Sequence, residues 1–299
     1  MQMPFAQRSA VTWQLRSRSL DLGKKTVVMG ILNVTPNSFS EGGRFREPQA
    51  AIEQGLAMFE QGAAIVDIGG ESTRPGQQEP VSAQEEIDRV LPVIGGILLH
   101  RPESILSIDT YKSETARAAV EEGAEIVNDV SGFLWDTALA AISAKLGCGV
   151  VLTHTRGRPG EWRNLPPLAP QEVVPLVRSE LADRVSTALA AGILPQKIVL
   201  DPGFGFGKSF DENYPLLAHL DDLRAMGFPL LAGVSRKSFL ARALAPLRGG
   251  VDAPVAEREN ATLAATVAAV LSGADLVRVH TVRPALEAAM IADAILAAL

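Results

Sequence analysis

Short apolar runs, each closed by a polar residue, recur along this chain and dictate its architecture. Gly62-Ala-Ala-Ile-Val-Asp67, Gly123-Ala-Glu-Ile-Val-Asn128 and Gly273-Ala-Asp-Leu-Val-Arg278 share one form. Each has a glycine suited to the left-handed end of a helix, then an apolar pair, then a polar group. Runs this short and continuous suit parallel strands buried on both faces. Their intervals vary too much for a solenoid repeat. Strands are predicted over Val27–Leu32, Ala64–Ile68, Ile105–Ile108, Ile126–Val127, Gly149–Leu152, Ile198–Leu200, Leu230–Val234 and Leu276–Val279.

Helical signals fill the gaps. Ile52, Leu56 and Phe59 lie on one face of a first helix that starts near Pro48, and Ser82-Ala-Gln-Glu85 is a capping box that opens the second. Another helix runs through Thr115 to Glu122. Asp136 is placed to cap the next, which ends at Gly147; Val174, Val177, Leu181 and Val185 form the face of a fifth. Asp211 is the expected cap of a sixth. An alanine-rich run follows from Asn260 to Leu271, and Leu286, Met290 and Ile295 are expected to face inward on the last helix. The loose alternation from Val11 to Leu22 predicts a hairpin that closes one end of the fold. Eight strands, each followed by a helix, argue an α/β protein: a (β/α)8 TIM barrel over 27–299, preceded by a short N-terminal β-hairpin within 1–26. An open doubly wound sheet is the runner-up; it would use fewer strands and carry a nucleotide fingerprint.

The stretch from Ile198 to Ser209 carries the clearest chemical signal. Its strand delivers Asp201 to the C-terminal tip, Pro202 stops the ladder, and Gly203, Gly205 and Gly207 alternate with Phe204 and Phe206. A P-loop ending at Gly207-Lys208-Ser209 would need glycine at Pro202. A dinucleotide fingerprint from Gly203 would need glycine at Lys208, so neither motif is present.

Composition narrows the partners. The chain has 299 residues and a formal net charge of −6, which argues against nucleic acid and acidic membranes. Residues 1–26 show no apolar signal-peptide core, and no stretch approaches a membrane span. The single cysteine, Cys148, sits in an apolar context and reads as a core thiol. A cytoplasmic enzyme is the expectation.

In a barrel the strand tips converge whatever their separation in sequence. Here they are Asn33, Thr73 and Arg74, Asp109, Asn128, Asp201, Lys237, Arg278 and His280. Asp201 and Asn128 offer acceptors and donors in a plane, suited to a flat heterocycle with amide-like edges. Lys237 can bond a ring carbonyl, and Arg278 can stack on a ring face. Arg278 and His280 alternate along one strand; with Asn33 and a hard cation such as Mg2+ they suit an anionic leaving group. His154 reads as a core histidine rather than a metal ligand, and Trp162 as a rim residue outside the site.

Six motifs now carry a resemblance. Met29-Gly-Ile-Leu-Asn-Val-Thr-Pro36 with Ser38-Phe-Ser40, Glu71-Ser-Thr-Arg-Pro-Gly76, Ser107-Ile-Asp-Thr110, Asn128-Asp-Val-Ser-Gly132, Leu200-Asp-Pro-Gly203 and Ser235-Arg-Lys-Ser-Phe239 resemble the dihydropteroate synthase family. The resemblance implies a pterin-binding barrel of folate biosynthesis, usually a homodimer and the target of sulfonamides. It implies condensation of 6-hydroxymethyl-7,8-dihydropterin pyrophosphate with p-aminobenzoate, releasing pyrophosphate. Carried over, Asp109, Asn128, Asp201 and Lys237 hold the pterin. Arg278 stacks on it and faces pyrophosphate with His280, and Asn33 takes part in an Mg2+ site. Thr73, Arg74, Pro75, Phe39, Phe206 and Ser238 frame p-aminobenzoate. Asn37 and Glu41 stand where many members carry aspartate, and Thr281 follows His280 where aspartate is usual. Two rivals stay open: a methyltetrahydrofolate–corrinoid methyltransferase, which has no reason to keep Ser72 to Pro75 or Ser235 to Ser238, and a non-catalytic pterin-binding protein, which has no reason to keep Asn33, Arg278 and His280.

Overall fold

The computed structural model describes residue 5 and residues 8–35, 47–71 and 81–299. Thr73, Arg74, Pro75, Phe39, Asn37 and Glu41 lie outside the described residues.

Eight parallel strands form one sheet: β3 (Val27–Asn33), β4 (Ile65–Gly69), β5 (Leu106–Asp109), β6 (Ile126–Asp129), β7 (Gly149–Thr153), β8 (Ile198–Asp201), β9 (Leu231–Ala232) and β10 (Leu276–Val279). Neighbours in sequence are neighbours in space from β3 to β8, and β10 pairs with both β3 and β9. The ring is completed by a parallel bridge between Leu200 and Leu230 and by the Leu200 N–H donating to the Pro229 carbonyl at 2.9 Å. The seventh barrel strand is shorter than the predicted Leu230–Val234. Gly233 lies beyond its end, where a Cβ would stand 3.5 Å from an Asp201 carboxylate oxygen.

Strand alternation divides the apolar residues into two cores. Val28, Val66, Ile108, Val127, Leu152, Leu200 and Val277 point outward, beneath the helices. Val27, Met29, Ile65, Ile126, Val151, Val199, Leu231 and Leu276 fill the barrel floor. The hairpin of β1 (Val11–Gln14) and β2 (Ser19–Leu22) closes that end, as expected, by adding Trp13, Leu15 and Leu22 to the floor cluster. Trp13 Nε1 donates to the Lys197 carbonyl at 2.9 Å, and Lys197 Nζ returns a hydrogen bond to the Leu15 carbonyl at 2.7 Å. Among the described residues the N-terminal end is therefore plugged, and the end with the strand tips is open to a ligand.

Helices α1 (Glu47–Glu60), α2 (Ala83–His100), α3 (Ser113–Glu122), α4 (Leu139–Leu146), α5 (Pro170–Ala190), α6 (Asn213–Ala218), α7 (Leu220–Arg224), α8 (Ser238–Ala243), α9 (Glu259–Leu271) and α10 (Val282–Ala297) surround the strands. Ser82 caps α2 as predicted, its hydroxyl accepting from the Glu85 N–H at 3.2 Å. Asp136 does more than cap its own turn: Oδ1 accepts from Ala138, while Oδ2 accepts from the Ser113 N–H that opens α3. Glu212, not Asp211, secures the turn before α6 by accepting from the Ser209 N–H at 2.8 Å. Met290 and Ile295 point outward on α10, contrary to expectation. The helix buries Val282, Ala285, Ala289 and Ala292 instead, because small side chains permit its close approach to β3 and α9. No helix among the described residues is long and apolar enough to cross a membrane.

Candidate active site

A cavity of about 390 Å³ opens at the strand tips. Every predicted site residue within the described part of the chain lines it: Asn33 from β3, Asp109 from β5, Asn128 from β6 and Asp201 from β8, with Phe206, Lys237, Ser238, Arg278 and His280. Residues nearly 250 positions apart thus meet because the barrel lifts them to one mouth.

A wholly buried polar contact behind the cavity wall involves Asp67, a residue missing from the predicted site. Its carboxylate is wholly buried on β4, and a single oxygen, Oδ2, accepts from Arg278 Nε at 2.6 Å and from Asn128 Nδ2 at 2.9 Å. Asp67, Asn128 and Arg278 are the polar residues that close the three repeated runs, so the repeat itself marked the network. Arg278 also donates through Nη2 to Asp109 Oδ2 at 2.5 Å. Its guanidinium is therefore fixed edge-on between two carboxylates with its position locked. Asn128 spends one amide hydrogen on Asp67 and keeps a second hydrogen and its carbonyl oxygen for a guest.

Charges in this cavity are shifted by burial and by one another. Burial raises the Asp109 carboxyl to about 7; Arg278 opposes the rise, and the Asp67 carboxylate adds to it. Burial pulls the Lys237 ammonium down to about 8 against the attraction of Asp201. Burial also raises Asp201, partly offset by the Gly203 N–H that it accepts at 2.7 Å and by Lys237. Arg278 stays charged: burial disfavours its cation, but Asp67 and Asp109 outweigh that penalty.

The glycine loop after β8 shapes the outer wall. Gly203, Gly205 and Gly207 all have φ near +70°, and a Cβ on Gly203 would stand 1.8 Å from the His154 carbonyl oxygen. Lys208 folds into the loop and donates to the carbonyls of Gly203 at 2.8 Å, Phe206 at 3.2 Å and His154 at 3.4 Å. The Phe206 ring thereby faces the cavity, with Lys237 Nζ 3.7 Å from its centroid. Trp162 packs on Phe206 at 5.4 Å between centroids and also lines the cavity, which corrects its placement outside the site. The loop after β7 doubles back and brings it there, a path that local sequence does not encode.

Glu71 at the end of β4 lines the cavity as well, paired with Lys112, which also holds the buried Glu86 at 2.9 Å. Arg236 adopts φ +57°, an uncommon conformation for a side chain with a Cβ. Its N–H donates to the Thr262 hydroxyl at 3.0 Å, and Arg258 donates to its carbonyl at 2.9 Å, which pins the turn that presents Lys237. Thr281, where aspartate is usual in the family, accepts from Arg236 Nη2 at 2.9 Å, and Glu259 supplies the carboxylate for the same guanidinium at 3.3 Å. His154 is a core histidine, as expected: it is wholly buried, burial lowers its pKa to about 3, and its Nε2 stands 3.2 Å from Glu180.

Mg2+ is usually held by one or two protein oxygens together with substrate phosphates. The Asn33 carboxamide at the tip of β3 presents one such oxygen to the mouth.

The chain is similar to known proteins. A family model for pterin binding enzymes matches residues 29–280. The dihydropteroate synthase of Mycobacterium leprae is 45% identical over 271 residues, spanning 89% of this chain and 92% of that protein. Two structures of dihydropteroate synthase from Xanthomonas albilineans superpose closely. One, with 4-aminobenzoic acid, has a TM-score of 0.84 at 39% identity, covering 96% of this chain and 98% of that one. The other, in complex with 7,8-dihydropteroate, has a TM-score of 0.80 at 37% identity, covering 95% and 98%.

Proposed function

The chain belongs to the family of pterin-binding enzymes, and on that premise we infer that it condenses 6-hydroxymethyl-7,8-dihydropterin pyrophosphate with p-aminobenzoate to give 7,8-dihydropteroate and pyrophosphate. The observation that carries this reading is the convergence of Asp109, Asn128, Asp201, Lys237 and Arg278 on one cavity. That set can recognise a flat heterocycle and a pyrophosphate together. Relatives bound to the arylamine substrate and to the joined product support it.

The reaction divides between the depth and the rim of the cavity. The pterin lies deep, its donor edge on the Asp201 carboxylate, its other edge on Asn128 and its ring carbonyl at Lys237. Arg278, held edge-on by Asp67 and Asp109, covers a ring face and extends toward the pyrophosphate with His280. Bound Mg2+, with Asn33 as a protein ligand, would supply charge neutralisation for the leaving group. As the C–O bond to pyrophosphate breaks, Arg278 and His280 stabilise the departing anion, and positive charge develops on the pterin methylene. The Asp109 carboxylate stabilises that charge, and the electron-rich ring delocalises it. The neutral aryl amine, seated against Phe206, Trp162 and Ser238, then attacks the methylene carbon through its nitrogen lone pair, and the new ammonium gives up one N–H proton to solvent. Positioning and fixed charges therefore account for most of the acceleration.

Two further features complete the proposal. The chain pairs as a homodimer; the outward Met290, Ile291 and Ile295 of α10 support this. It works in the cytoplasm; the free, buried Cys148 supports a chain that needs no oxidising compartment. The test of function uses purified protein, Mg2+, the pterin pyrophosphate and labelled p-aminobenzoate, and the expected result is labelled dihydropteroate. Methyl transfer from methyltetrahydrofolate to a corrinoid protein, with no dihydropteroate formed, would replace this reading with the methyltransferase.

A further inference from the structure

We propose that the Thr153 hydroxyl is a further binding group for the pterin, accepting the hydrogen of the exocyclic amine that Asp201 leaves over. The inference rests on the reading of the cavity as a pterin pocket.

Thr153 is the last residue of β7, the strand between β6, which carries Asn128, and β8, which carries Asp201. Side chains alternate along a strand. Val151 belongs to the barrel floor and Leu152 to the outer core, so Thr153 points into the barrel above Val151. Its register partner on β8 is Asp201, which also stands two residues beyond a floor residue, Val199. Neighbouring strands lie about 4.8 Å apart, so the two side chains rise next to each other at the mouth. Thr153 is 2% exposed, and it lines the cavity. A Cβ on Gly203 would stand 3.2 Å from Thr153 Cγ2, which sets the methyl group against the glycine loop. The hydroxyl makes no hydrogen bond among the described residues, whereas Thr155 spends its own on the Gly157 carbonyl at 3.2 Å.

Chemistry names the group this hydroxyl meets. One edge of a pterin carries the ring N3–H and the amine at C2. A carboxylate that grips this edge takes the N3–H and one amino hydrogen. The second amino hydrogen points away from Asp201, toward ring nitrogen N1 and the edge assigned to Asn128. The strand between those two residues is β7. A buried donor left without an acceptor costs affinity. A threonine hydroxyl has two lone pairs to offer it. A site built around such a contact also discriminates against a ring that lacks the amine.

Two ligands read the contact: 6-hydroxymethyl-7,8-dihydropterin pyrophosphate, and its analogue with hydrogen in place of the C2 amine. Thr153→Val keeps the shape of the side chain and removes the hydroxyl. Calorimetry on the full chain should show it binding the first ligand about five- to tenfold more weakly than the wild type, the size expected for one neutral hydrogen bond. Thr153→Ser keeps the hydroxyl and drops the methyl, and should stay within about twofold of the wild type. The analogue should bind Thr153→Val no more weakly than the wild type, a result that a merely structural role for Thr153 would not produce. Undiminished affinity of Thr153→Val for the first ligand would overturn the inference and give the second amino hydrogen to the Asn128 carbonyl. An equal loss for both ligands would overturn it too. Wild-type protein that binds neither ligand would overturn the pterin reading itself, and the inference with it.

Discussion

Replacing Asp67 with asparagine tests whether the network beneath the cavity organises the site. The substitution keeps the shape of the side chain and removes its charge. Asp67 Oδ2 accepts two buried hydrogen bonds, at 2.6 Å from Arg278 and 2.9 Å from Asn128. Hydrogen bonds to a charged group contribute about 1.5–3 kcal/mol each. Arg278 would retain Asp109, and an amide oxygen would still accept one bond, so the net loss should be about 2–3 kcal/mol, or roughly 30- to 150-fold in kcat/KM for the pterin pyrophosphate. A second readout has a sign of its own. The Asp109 carboxyl sits at about 7 because burial raises it, Arg278 only partly offsets that, and the Asp67 charge raises it further. Neutralising position 67 removes that repulsion and leaves Arg278 to Asp109 alone. Both changes favour the ionised carboxyl and lower its pKa. If ionised Asp109 is the active form, activity rises with pH through about 7 in the wild type, and that limb moves to lower pH in Asp67→Asn. Initial rates of pyrophosphate release, measured from about pH 5 to about pH 9, resolve both quantities. A limb that stays in place, or moves to higher pH, would refute the electrostatic coupling. An unchanged kcat/KM would refute the structural role of Asp67.

Other substitutions separate the cavity from its support. Asp201→Ala should lose roughly 1.5–3 kcal/mol per hydrogen bond to the pterin, and near-wild-type affinity in calorimetry would count against the assigned pocket. Trp162→Ala removes the ring packed on Phe206 and should raise KM for p-aminobenzoate about three- to tenfold while pterin affinity holds, as aromatic contacts contribute about 0.5–1.5 kcal/mol beyond area; an equal loss for both substrates would remove Trp162 from the arylamine wall. Trp13→Ala opens the barrel floor and should destabilise the fold by about 3–5 kcal/mol, seen as a lower Tm, with KM values unchanged where the protein remains folded.

The barrel was legible because a strand buried on both faces has few alternatives once it is short, apolar and tipped by a polar residue. The predicted strands stopped one or two residues early at Asp109 and Asp129, since the ladder continues through the polar tip that seemed to end it. Asp67 was within reach, because it occupies the same repeat position as Asn128 and Arg278. Yet nothing local distinguishes a carboxylate at a strand tip from one beneath it. Met290 and Ile295 were misplaced for a different reason. In an alanine-rich helix, hydrophobicity does not reveal which side is buried, and close packing selects Ala285, Ala289 and Ala292 over larger neighbours. Trp162 and the long-range capping by Asp136 depend on where loops and helix ends meet in space, which periodicity cannot carry.

The arrangement of charge explains why such a site can be built over a dry floor. Asp67 and Asp109 share the single cation of Arg278 inside the barrel, so full ionisation leaves that trio with one negative charge in excess. The apolar plug beneath them denies water as a compensating solvent. With Asp109 at about 7 and Lys237 at about 8, the empty site can remove the excess near neutral pH by holding a proton on Asp109. When pyrophosphate departs in the proposed reaction, the new cation on the pterin methylene supplies the missing positive charge, and ionised Asp109 no longer carries a penalty. The feature that makes the unliganded cavity electrostatically unfavourable is thus the one that favours the transition state, because its dipoles and charges are already fixed by Asp67, Gly203 and the Arg236 turn before the bond begins to break.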